Sequence, residues 1–108
     1  MKLQLDDLDT YLFLANEWLF EIGTILRERL QEAGLSEDQA RETCGNILFD
    51  IGMLHDQHGL EGEWSNATSD PILPRLGFVD TEGDLVTVNE DTYHHEYVFR
   101  VIESVFAK

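Results

Sequence analysis

Cysteine is all but missing from this chain: Cys44 stands alone among 108 residues. That excludes an internal disulfide framework and any paired-thiol zinc site. Proline is nearly as scarce, and Pro74 confines the segment around it to a sheet edge or a bulge. Positive charge is the third shortage. Seven lysines and arginines face twenty-two acids, for a net charge of −15, which argues against binding nucleic acid, where phosphates must be neutralised by cationic side chains. No apolar run approaches the roughly 20 residues of a membrane-spanning helix. The opening MKLQLDDLDTYLFL is acidic where a secretion signal is basic. Together with a single thiol on an apolar face, this predicts a cytoplasmic chain that does not enter membranes. Internal repeats, low-complexity tracts and interdomain linkers are also lacking, which predicts one domain over residues 1–108.

What is present is helical periodicity. The stretch SEDQARETCGNILFDIGMLHDQH, residues 36–58, organises the reading. Ser36 and Gln39 form a capping-box pattern, with Glu37 and Asp38 suited to the positive end of the helix dipole. Ala40, Cys44, Ile47, Leu48, Ile51, Leu54 and His55 then recur at the spacing of one buried face. Gly45 and Gly52 interrupt it, each at about 1 kcal/mol relative to alanine. They predict a close neighbour, with Gly23, Trp18 and Phe20 of the preceding helix as its partners.

That preceding helix begins at Asp6 to Asp9 and ends before Gly34. It carries two apolar stripes, Leu8-Leu12-Ala15-Leu19-Ile22-Leu26 and Tyr11-Leu14-Trp18-Ile25, a width that predicts burial on two sides or contact with another subunit. Leu3 and Leu5 alternate with polar residues as in an arm or short strand. Residues 60–71 read as a loop. Residues 72–79 and 84–88 read as two strands joined by Asp80-Thr81-Glu82-Gly83. Asn89-Glu90-Asp91 then cap a helix from Thr92 to Phe106. The expected fold is mainly helical α+β in the order α-α-β-β-α: an antiparallel helix pair, a β-hairpin and a closing C-terminal helix.

Two groups of residues could carry function. His55 and His58 lie one turn apart at the end of a helix, and His94 opens the last one. Imidazole is the commonest metal ligand, so His55, His58 and His94 are the candidate metal set, for a divalent ion. Asp50 near these histidines offers a second chemistry, a carboxylate orienting a general base. Against both stands the preference of histidine for helix C-termini. No zincin helix, nucleophile elbow, phosphate loop or dinucleotide fingerprint is present, so neither a catalytic residue nor a resident cofactor is assigned.

The second group is a surface. Trp64 and Phe78 supply aromatic anchors, and Glu61, Glu63, Asp80, Glu82 and Asp84 supply an acidic rim. Residues 50–96 hold eleven acids against Arg75 alone. In composition only, the chain is similar to small acidic proteins that neutralise basic enzymes, such as immunity proteins and nuclease inhibitors. The leading expectation is therefore a non-enzymatic interaction protein, inhibitor-like or adaptor-like, that meets a basic protein partner or itself as a homodimer. The alternative is a metal- or histidine-dependent small-molecule enzyme.

Overall fold

The computed structural model describes residues 1–58, 60 and 74–107, of His58 the backbone only. Among them the chain forms three α-helices and a three-stranded mixed sheet, a mainly helical α+β fold as the periodicity predicts. Strand β1 spans Leu3–Leu5, helix α1 Leu8–Glu32 and helix α2 Glu37–Met53. A π-helical turn, Leu54–His58, continues α2; strands β2, Phe78–Val79, and β3, Leu85–Thr87, precede helix α3, His94–Val105.

The caps act where the sequence places them in α1 and α2. Asp7 accepts from the backbone and hydroxyl of Thr10, each at 2.9 Å. The Ser36–Gln39 box is reciprocal, at 2.9 and 3.2 Å. Each bond satisfies one of the amide donors that a helix start leaves free. Gly34, at φ +96°, makes the left-handed stop between α1 and α2.

The larger core joins all three helices. Leu19 of α1, Ala40, Cys44 and Leu48 of α2, and Val98, Val101, Ile102, Val105 and Phe106 around α3 form one buried cluster. A smaller cluster of Tyr11, Ala15 and Val88, with Leu8, Leu76 and Phe78 against it, glues α1 to the sheet. Tyr11 is fully buried there and donates its hydroxyl to the Leu76 carbonyl at 2.8 Å.

The close approach predicted for the glycines is real in part, and its partner differs. A Cβ on Gly52 would lie 2.8 Å from the backbone nitrogen and 2.9 Å from the Cα of His95, so Gly52 admits the start of α3 rather than α1. Gly45 also faces α3, but a Cβ there would sit 4.0 Å from Ile102, an ordinary contact. Gly23 of α1 in turn faces Val105, at 2.9 Å. Thus α3 is the element that the other two close upon.

Both ends of α3 are served from outside. The expected cap at Asn89-Glu90-Asp91 does not form: the helix begins at His94, and its N-cap residue Tyr93 offers no side-chain bond. Asp56, from the π-turn, supplies the acceptor instead. At the other end Arg27 of α1 donates to the Val105 carbonyl at 2.7 Å and lies over the Phe106 ring at 4.9 Å. A carboxylate at the start and a guanidinium at the end each complement the helix dipole.

The sheet departs from the expected hairpin in two ways. The strand predicted for 72–79 is confined, among described residues, to Phe78–Val79. Upstream, the carbonyls of Pro74 and Leu76 are taken by side chains, from His55, Tyr11 and Thr87, and not by a strand ladder. The N-terminal arm becomes a strand: β1 runs parallel to β3, Leu3 opposite Leu85, and β2 runs antiparallel on the other side. The glycine-ended turn forms as expected, with Gly83 at φ +82°.

Candidate functional site

The π-turn meets the start of α3 in a knot of polar side chains inside an apolar setting. Asp56 is its centre, with a side chain wholly shielded from solvent. One oxygen accepts the Thr92 hydroxyl at 2.7 Å. The other accepts the His95 amide at 2.9 Å and the His95 ring Nδ1–H at 2.6 Å. Burial alone would raise the pKa of this carboxyl, but the backbone amides and the Thr92 and His95 donors outweigh it and hold it below the usual value. An ionised carboxylate only accepts, so Nδ1 of His95 carries the proton of this bond.

His55 is oriented in the same way by a different partner. Its Nδ1 lies 3.1 Å from the Pro74 carbonyl; since a carbonyl cannot donate, the bonding hydrogen sits on Nδ1, leaving Nε2 as the base of the neutral imidazole. The Trp18 ring meets it edge-on at 5.7 Å.

His94 is the unusual member. It is 1% exposed, and neither ring nitrogen finds a hydrogen-bond partner among the described residues. Its ring lies 5.9 Å from that of His55, 6.0 Å from Tyr11 and 6.3 Å from Trp18. Burial pushes its pKa below the ordinary histidine value, against the pull of the Asp56 carboxylate and with the help of His55 and Arg75. His94 is thus a neutral imidazole in a box of rings.

The structure therefore brings two of the three expected metal residues together, His55 and His94. The side chain of His58 lies outside the described residues. Asp50, the sequence candidate for orienting a histidine, is replaced in that role by Asp56. The sequence held a signal for this: Asp56 follows His55 directly, but only the π-turn aims it at α3.

Of the surface residues, Trp64, Glu61 and Glu63 lie outside the described residues. Phe78 is half-buried against Tyr11, ring centroids 5.9 Å apart, and belongs to the small core. Asp80, Glu82 and Asp84 do converge, with one oxygen from each within 4.8 Å of the others. Two of them have structural duties. Asp80 accepts the amides of Glu82 and Asp84 at 2.9 and 3.0 Å, and Asp84 binds the amide of Lys2 and the side chain of Gln4 at 3.0 and 2.7 Å.

A groove lies between α1 and α3. Phe13, Asn16, Glu17 and Phe20 form one wall, Arg100, Val101 and Ser104 the other, around about 260 Å³. It continues past Asp9, Leu12 and Tyr97. Phe13 is 81% exposed at its lip, and the Asn16 side-chain oxygen beside it has no partner among the described residues. Phe13 falls on neither apolar stripe of α1, which is why the stripes did not reveal it.

No helix of the described residues is long and apolar enough to cross a membrane. Comparison of the chain with protein-family models, with curated proteins and with solved structures gives no match. The functional reading accordingly rests on the geometry above.

Proposed function

We propose that this chain is an interaction protein whose α1–α3 groove receives an amphipathic helix with basic flanks. The observation that carries the reading is Phe13: a large aromatic side chain, 81% exposed, at the lip of an apolar groove. In helix-in-groove recognition an amphipathic helix lays its apolar face into such a trough, and Phe13, Phe20 and Val101 line this one. Charge selects the occupant. Asp9 and Glu17 stand at the groove against Arg100 alone, and the chain as a whole carries −15, so a cationic helix is drawn in and an acidic one repelled.

A labelled amphipathic leucine–lysine peptide tests this by fluorescence anisotropy. Binding should weaken by about tenfold or more in Phe13→Asp, persist in Phe99→Asp on the far side of α3, and fall as salt is raised. Equal binding by the parent and Phe13→Asp overturns the reading. The competing occupant is a second copy of the chain, as a homodimer. Two chains of −15 repel each other, so self-association through this groove would strengthen with salt. Sedimentation that shows a salt-promoted dimer abolished by Phe13→Asp assigns the groove to the copy and overturns the basic partner.

A further inference from the structure

We infer that His55 and His94 together form a site for a transition-metal dication of the zinc or copper(II) class, independent of the α1–α3 groove. Three observations meet there. The first is the spacing of the rings. An imidazole nitrogen binds such an ion at about 2.0–2.1 Å, which puts the ring centroid about 3.2 Å from the metal and two rings at a tetrahedral angle about 5.3 Å apart. The His55 and His94 centroids are 5.9 Å apart with planes at 80°, a separation close to that value.

The second is orientation. The Pro74 carbonyl holds Nδ1–H of His55 and leaves Nε2 as the donor, the outer-shell arrangement that fixes a ligating histidine in structures of metal sites. The third is the unpartnered ring of His94, 1% exposed and with both nitrogens unbonded among the described residues. A buried polar group without a partner costs about 1–3 kcal/mol, and a bound cation would satisfy one of these nitrogens. Of the charges that act on His94, the Asp56 carboxylate favours a cation and the Arg75 guanidinium opposes it, in a chain that is strongly acidic overall. His95 is outside the set: its ring packs edge-on against Phe49 at 5.7 Å.

Copper(II) titrated into the whole chain, read by electron paramagnetic resonance, distinguishes imidazole nitrogens from carboxylate oxygens. The expected spectrum shows nitrogen splitting from two imidazoles. His55→Asn and His94→Leu should each remove one nitrogen and weaken zinc binding in calorimetry by about tenfold or more. Replacing the acidic turn by Asp80→Asn, Glu82→Gln and Asp84→Asn should leave both readouts unchanged. An oxygen-only spectrum overturns the site, as does a spectrum unaffected by His55→Asn or binding lost with the turn carboxylates. If circular dichroism shows His94→Leu unfolded, His55→Asn decides alone, since its parent ring is only half-buried.

Discussion

Asp56 and His95 are joined twice through one carboxylate oxygen, which takes the backbone amide of His95 at 2.9 Å and its ring Nδ1–H at 2.6 Å. The pair links the end of α2 to the start of α3, and it replaces a cap that α3 lacks within its own sequence. Removal of the carboxylate therefore leaves buried donors on Thr92 and His95 unpaired. Asp56→Ala should lose about 3 kcal/mol of stability, measured by urea denaturation; a loss below about 1 kcal/mol would show that water or another acceptor serves α3 equally well.

Acid should destabilise the fold in two steps. Desolvation lowers the pKa of His94, so the unfolded chain binds a proton near pH 6.5 that the folded chain resists; stability is full above that pH and declines as pH falls below it. Asp56, also held low, contributes stability that is present above about pH 4 and lost as pH drops through its folded value. Urea midpoints measured from pH 8 to pH 3 should show both limbs, and His94→Phe should abolish the upper one while sparing the lower.

The two glycines of α2 should respond oppositely to alanine. At Gly45 the new methyl meets nothing closer than 4.0 Å, and the helix gains about 0.5–1 kcal/mol. At Gly52 it strikes the His95 backbone at 2.8 Å, where no flexible side chain can yield. Overpacking of about 1–3 kcal/mol then exceeds the propensity gain. Thermal melts of the two variants should move apart in sign. A Gly52→Ala protein more stable than its parent would contradict the contact with α3.

Arg27 should matter more than its surface neighbours. It bonds the Val105 carbonyl and covers the Phe106 ring, whereas the Arg29–Glu32 pair is exposed on both sides. Arg27→Met should cost about 1–2 kcal/mol in denaturant unfolding, and Arg29→Met no more than a few tenths.

The helices were legible because their signals are local. The Ser36–Gln39 box, the stop at Gly34 and the run from Ala40 to Leu54 each speak within a turn or two. What the sequence could not disclose were the tertiary choices. Gly52 announces a close neighbour without saying that it is His95 of α3 and not α1. His94 reads as a candidate ligand that opens the last helix, and nothing local to it says that Tyr11, Trp18 and His55 bury its ring. Phe13 was missed for the reverse reason: it sits off the apolar stripes of α1, and only the placement of Arg100 and Val101 turns it into the lip of a groove.

The parallel pairing of Leu3–Leu5 with Leu85–Thr87 carries a consequence for how the molecule assembles. Strands so distant along the chain meet only after a large loop closes, and folding rates fall as such distant contacts dominate. During synthesis, α1 and α2 can associate while the first residues still wait for their partner to leave the ribosome. The sheet is then a late event, completed only after translation has passed Thr87, and its opening strand spends that interval as an unpaired edge open to misassociation.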